Sequence, residues 1–307
     1  MCRLSRSFVL FSALGLLACS AAFAQTSPSQ TSITVTVTAL GPNNSPAPDI
    51  SQGDVSAYSG STRLDVARWV RAQGSDANLQ LAILIDNDLG TSIVGQQMQD
   101  LASFINALPP STSVGIFYAE NGAATPAAQF TSDHASAANS LRLTLGRSGG
   151  SPSIYLSLTD LVEHWATATN TRREALVIAS GFDPLNPGVD DPYADQSVEE
   201  AEKSGVDVHT LLLPNPRYQS TFRSNLSEGK LIEATTGTGG QTLFEGAFVP
   251  LSLEPYLNRL NVALANQYLL TFAIDRTNKK GGELRPLRVQ VEEHGVKLYS
   301  PQQILVP

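Results

Sequence analysis

The amino-acid sequence predicts an α/β protein: a doubly wound, mostly parallel sheet with an accessory β module built from the N- and C-terminal segments. Two observations carry that expectation. Leu81-Ala82-Ile83-Leu84-Ile85 and residues 175–179 are continuous apolar runs, as in parallel strands buried on both faces, and they alternate with stripes of helical period. Before and after this stretch the pattern has period two, as in half-buried strands.

The chain opens on a secretory pattern. Arg3 and Arg6 precede an apolar run over residues 8–18, and Ala22-Phe23-Ala24 offers a cleavage site before Gln25. The run is too short for a permanent membrane span. Leu16-Leu17-Ala18-Cys19 resembles a bacterial lipobox, which would instead make Cys19 a lipid-modified N-terminus. Both alternatives predict export: periplasmic or secreted in the first case, an outer-membrane lipoprotein in the second. Cys2 and Cys19 are the only cysteines, so neither alternative leaves a disulfide or a thiolate site in the folded part.

Lys and Arg number 20 against 28 Asp and Glu, a net charge of −8. Removing Arg3 and Arg6 takes the basic count to 18 and the balance to −10. No basic run remains, which argues against nucleic acid as a partner and against a membrane surface except through an N-terminal lipid.

Residues 25–32 read as a polar linker. Ile33-Thr34-Val35-Thr36-Val37-Thr38 alternates as a strand, residues 41–48 form a turn-rich stretch, and residues 55–58 and 64–70 form a hairpin about Ser59-Gly60-Ser61. These belong to an N-terminal β segment, 33–76. In the α/β unit, 77–265, strands are expected at 81–85, 114–118, 175–179, 206–213 and 241–244. Helices are expected at 98–108, 135–145, 154–166, 195–203, 226–234 and 253–265, with Pro109-Pro110 stopping the first and Gly237 to Gly240 ending the fifth. The C-terminal segment, 266–307, returns to strands at 268–274, 284–291 and 296–299.

The stretch from Leu81 to Ala265 resembles a von Willebrand factor type A domain. The whole mature chain looks like the bacterial exported proteins called VWFA-related. Asp54-Val55-Ser56-Ala57-Tyr58-Ser59-Gly60, the run from Glu199 to His209, and Asn266-Gln267-Tyr268-Leu269-Leu270-Thr271-Phe272 carry the narrower likeness. The resemblance implies a metal-ion-dependent adhesion site at the C-terminal edge of the sheet. There Asp-x-Ser-x-Ser, a Thr and a further Asp hold Mg²⁺, a hard ion that takes about six oxygens.

The chain departs from that motif. Asp86 occupies the first position, but Asp88 and Gly90 replace the serines. Ser151 or Ser153 stands in for the Thr, and Ser180 for the third-loop Asp, with Asp183 three positions further out. The site expected is degenerate: Asp86, Asp88, Ser151, Ser153 and Ser180 would bind Mg²⁺ or another divalent cation weakly at most. No other cofactor is implied. The bland alternative makes Asp86 and Asp88 turn residues, with Asp88 or Thr91 capping the next helix.

Other readings are weaker. Asp-x-Asp after a strand also opens haloacid-dehalogenase-type phosphohydrolases, with Ser180, Lys203 and Asp190-Asp191 as further parts, but the acidic pair precedes the lysine. Asp183, Asp190, Asp191 and Asp195 crowd a Pro/Gly-rich loop that reads as a solvated acidic loop, with calcium binding as the alternative. His134, His164, His209 and His294 show no ligand spacing, and His164 beside Trp165 reads as packing. The expectation is an exported, non-catalytic binding or scaffolding protein. Its partner would be a protein or another envelope macromolecule. A phosphohydrolase, or a structural envelope protein with a dead metal site, is the alternative.

Overall fold

The computed structural model describes residues 30–95, 97–144, 146, 153–165, 171–185, 191–216, 222–277 and 279–307. The leader with Cys2 and Cys19, the start of the linker, Ser151 and Asp190 lie outside the described residues.

Strand β1 (Gln30–Leu40) is followed by the hairpin β2 (Val55–Ser59) and β3 (Thr62–Arg71). The α/β unit then begins with β4 (Leu79–Asp86), α1 (Thr91–Val94), α2 (Met98–Asn106) and β5 (Thr112–Glu120). An unanticipated strand, β6 (Ala123–Thr131), folds back antiparallel on β5 and edges the sheet. Its Ala-Ala-Thr-Pro-Ala-Ala stretch carries little β propensity, and its proline is tolerated because β6 is the edge strand of the sheet among the described residues. The legible signal was the turn: Asn121 and Gly122 take φ of 53° and 74°, the primed geometry of an Asn-Gly hairpin.

Next come α3 (His134–Asn139), α4 (Ile154–Glu163), β7 (Arg172–Ala179), α5 (Pro192–Ser204), β8 (Asp207–Leu212), α6 (Phe222–Thr238), β9 (Thr242–Glu245) and α7 (Glu254–Ala265). The helix expected over 135–145 ends at Asn139, because Arg142 leaves it to bond Tyr118. Helix α6 runs through Gly237, further than its predicted exit. The sheet order is β6-β5-β4-β7-β8-β9, all parallel except β6. Alternate residues of β4 feed two cores: Leu81, Ile83 and Ile85 meet α2 and α7 on one face, while Ala82 and Leu84 meet α4 on the other. Both faces are thus dry, which is why the strand reads as an unbroken apolar run.

The last strands are β10 (Gln267–Asp275), β11 (Glu283–Pro286), β12 (Arg288–Val291), β13 (Lys297–Tyr299) and β14 (Gln303–Val306). The single strand expected over 284–291 is two, broken at Leu287: β11 pairs with β14, and β12 joins β2. The accessory module has a six-stranded sheet of order β12-β2-β3-β10-β1-β13, in which β10 lies between the N-terminal strands, and a two-stranded one, β11-β14. Trp69 stacks on Tyr268 across β3 and β10, ring centroids 4.4 Å apart, and donates to the Ile50 carbonyl at 3.0 Å. No helix of the described residues is long and apolar enough to cross a membrane.

Candidate functional site

The sheet order reverses about β4, whose neighbours are β5 on one side and β7 on the other. Loops leaving β4 and β7 therefore part at a switch point, and a crevice opens at their C-terminal ends. Asp86 closes β4, and Ser180 follows β7 directly.

Asp86 is 5% exposed, and its Oδ1 accepts the Asp88 backbone N–H at 2.9 Å. The Ser180 backbone N–H also donates to it. Burial pushes its carboxyl up from 3.8 to about 7, with the Asp88 and Asp183 charges adding to the rise and the two N–H donors opposing it. Asp88, Asn87 and Ser180 are buried beside it, and the Asp88 carbonyl accepts Asn215 Nδ2 at 3.2 Å.

Asp183 is fully buried, although its offset from the expected third-loop position argued for a lesser part. Ser153 Oγ donates to Asp183 Oδ2 at 2.6 Å, and the Leu185 N–H donates to its Oδ1 at 2.8 Å. Ser153 is also the N-cap of α4, accepting the Leu156 N–H. Tyr155 Oη donates to the Gly181 carbonyl at 2.9 Å and pins the same loop. Of the predicted site residues, Asp86, Asp88, Ser153 and Ser180 thus come to one edge, joined by Asp183. Helix α1 is capped by neither Asp88 nor Thr91: its N-cap is Gly90, without a side-chain bond. The Thr91 hydroxyl instead donates to the Thr144 carbonyl at 2.6 Å.

The donors are hard oxygens of the type a divalent cation takes. Among the described residues no group of three or more His, Cys, Asp and Glu converges to hold a metal. Asp86 and Asp183 spend oxygens on backbone N–H groups and on Ser153. The acidic loop divides likewise. Asp191 caps α5 through the Tyr193 and Ala194 N–H groups, and Asp195 pairs with Lys230 at 2.7 Å.

Beside this centre, Arg142 pairs with Glu120, donates to Asn87 Oδ1 at 3.3 Å and lies over the Tyr118 ring at 3.8 Å. His164 is a correction: its side chain is 76% exposed and bonds Asp160, while Trp165 is the packed neighbour.

At the opposite edge lies a buried polar cluster that sequence reasoning did not find. Arg172 Nη2 donates to the Ala77 carbonyl at 2.8 Å, and Nη1 to the Leu264 carbonyl and to Gln267 Oε1. Gln267 Nε2 reaches Thr38 Oγ1 at 3.1 Å, tying the α/β unit to β1. His209 Nδ1 accepts the Gln241 N–H at 3.1 Å, which leaves the proton on Nε2 to donate to Glu174 Oε2 at 2.8 Å. Burial, then the Glu174 charge, raises the Asp207 carboxyl well above its ordinary value, and Arg172 opposes the rise.

The chain matches no protein-family model and no curated protein. Solved structures similar to it include an aerotolerance-related membrane protein from Bacteroides fragilis: 15% identity, 61% of this chain and 98% of that one, TM-score 0.44. A conserved hypothetical protein BatB from Bacteroides thetaiotaomicron shares 16% identity over 60% of this chain and 98% of its own, TM-score 0.42. The SpRpn10 VWA domain shares 12% over 61% and 97%, TM-score 0.38. The fold assignment rests on this chain's own strand order, a parallel sheet with one antiparallel edge strand, which is α/β and von Willebrand factor A-like.

Proposed function

We propose that this is an exported, non-catalytic binding or scaffolding protein that engages another protein through the C-terminal edge of its parallel sheet. The observation that carries the reading is where its exposed apolar side chains stand. Among the described residues the exposed large hydrophobics are Leu143, Leu185, Tyr193, Phe248 and Leu251. Leu143 adjoins Arg142, which is bound to the ends of β4 and β5; Leu185 follows Asp183; Tyr193 lies in the first turn of α5; Phe248 and Leu251 lie in the loop after β9. All stand on the edge that holds Asp86. Apolar groups gathered at one end of a soluble fold mark a contact surface, and aromatic anchors dominate such contacts.

On this reading the Asp86, Asp88 and Asp183 centre is a degenerate adhesion site. Its hydrogen bonds brace the loops, and the contact needs no bridging ion. The position of Lys203 supports a non-catalytic role. It pairs with Glu199 and Glu200 at the far end of α5, at the opposite edge from Asp86, where a phosphohydrolase would need it close.

The test is retention of envelope proteins by the immobilised chain, compared with Phe248→Ser/Leu251→Ser. Loss of specific retention in the variant, unchanged by a chelator, is expected. Retention that survives the double substitution would overturn the edge reading. Mg²⁺-dependent hydrolysis of a phosphomonoester that is lost in Asp86→Asn would overturn the non-catalytic one.

A further inference from the structure

Strand β1 is paired along one side, but on its other side only near its C-terminal end. The Ala39 N–H donates to the Asn266 carbonyl at 3.0 Å, and in an antiparallel ladder residues that bond one neighbour alternate with residues that face the other. In the register of β1 with β10, Ile33, Val35 and Val37 therefore turn their N–H and C=O groups to β10, while Ser32, Thr34 and Thr36 turn theirs away. Strand β13 meets that outer side at Thr38, Ala39 and Leu40 alone. No described residue bonds the outward backbone groups of Ser32, Thr34 or Thr36, and Ser32 and Thr34 are exposed.

Two cavities flank this open edge, one toward each face of β1. The first, of about 180 Å³, is lined by Ile33, Val35, Ala201, Val206, Ile304 and Leu305. The charges beside it are engaged, Glu202 with Gln303 and Lys203 with Glu199 and Glu200. The second, of about 300 Å³, lies by Thr34 and Thr36 and is polar. Its cations are engaged too: Arg68 with Asp76, Arg173 with the Ser204 carbonyl, and Arg172 with Gln267 and the Ala77 and Leu264 carbonyls. Asp207 is different. It lines this cavity at 6% exposure, and no described residue donates a hydrogen bond to its carboxyl. Ser204, Gly205 and Pro301 border both cavities across from β1, so the slot is walled and takes a single strand, not the edge of another sheet.

We infer that this slot takes a lone extended segment of another protein, which pairs with Ser32, Thr34 and Thr36 as an added strand. An extended backbone presents N–H and C=O groups at the spacing of the open edge, and its side chains fall alternately on the two faces. The segment is therefore one that alternates: an apolar side chain for the first cavity, and a small hydrogen-bond donor for the second, where Asp207 is the open acceptor. The slot lies at the starts of β7 and β8, the opposite end of the sheet from Asp86, so it is a second surface, independent of the edge proposed above.

A fluorescein-labelled peptide, Ser-Val-Ser-Leu-Ser-Val-Ser, tests it by anisotropy against the full exported chain. Saturable binding below about 100 μM is expected. N-methylation of the serine nitrogens and of the Val and Leu nitrogens should differ in effect: the set that faces β1 abolishes binding, and the other set spares it. Thr34→Pro deletes one outward N–H at an edge where proline is tolerated. Ser204→Trp fills the slot from α5. Each should weaken binding by at least about ten-fold, whereas Phe248→Ser/Leu251→Ser should leave it unchanged. Absence of saturable binding, equal effects of the two methylated sets, or binding that survives both slot variants overturns the inference. Self-association of the chain that Thr34→Pro abolishes in sedimentation overturns it as well, since the edge would then serve a second copy.

Discussion

Ser153 Oγ donates to Asp183 Oδ2 at 2.6 Å, both residues buried, and so fastens the N-terminus of α4 to the loop after β7. Hydrogen bonds to a charged group contribute about 1.5–3 kcal/mol each. Asp183→Ala strips partners from Ser153 and the Leu185 N–H together, so a loss of about 2–4 kcal/mol is expected in urea melts. A loss under about 1 kcal/mol would show that the contact does not brace the edge.

Asp86 makes stability depend on pH. Its carboxyl is raised from 3.8 to about 7 by burial, then by the neighbouring acids. A raised folded-state value means that the folded chain binds the proton more tightly. The contribution is therefore complete below about pH 4 and lost as pH climbs through about 7. A shift of that size corresponds to at most about 4 kcal/mol. Asp86→Asn should flatten this part of the profile and be more stable than wild type at pH 8. An unchanged slope would show that Asp86 titrates normally.

Arg172 should be the costliest single charge to delete. It is the buried cation nearest Glu174, at 3.8 Å, and it opposes the rise at Asp207. Arg172→Met leaves these acids uncompensated and cuts the ties to Ala77 and Gln267, so a loss of about 3–5 kcal/mol is expected in denaturant melts. Asp207→Asn in that background should recover part of it. Absence of any recovery would show that the loss comes from the lost hydrogen bonds alone.

Gly240 is a steric requirement. A Cβ there would stand 1.8 Å from the Val208 carbonyl oxygen, so backbone must move. Gly240→Ala is expected to cost at least about 1–3 kcal/mol and to perturb the Gln241 to His209 bond, visible as a shift of the His209 ring resonances. A variant of wild-type stability with unshifted resonances would contradict the close approach.

The parallel strands were legible because a strand buried on both faces needs apolar residues on both, and residues 81–85 of β4 and 175–179 of β7 supply them in unbroken runs. The meeting of Asp86, Ser153 and Ser180 was legible too, since parallel strands deliver their C-terminal ends to one edge whatever their separation in sequence. Asp183 was not. Its place depends on how the loop bends after Gly181, at φ 73°, and no periodicity encodes that path. Strand β6 escaped because pairing with β5, not its own residues, makes it a strand. The Arg172 and His209 cluster escaped because its members lie on four strands far apart in sequence, β1, β7, β8 and β10, each alone an ordinary polar residue.

The pairing of β1 with β10 matches Thr34 to Thr271, residues 237 positions apart. A chain made from its N-terminus therefore carries β1 without a partner until nearly the whole α/β unit has been synthesised. The α/β sheet, whose contacts lie within its own segment, is free to assemble first. During that interval β1 offers an open backbone edge of alternating Thr and Val or Ile, the pattern most ready to pair with another chain. The protein's period of greatest exposure to misassembly thus ends when β10 slides between β3 and β1, and truncation before residue 267 would make it permanent.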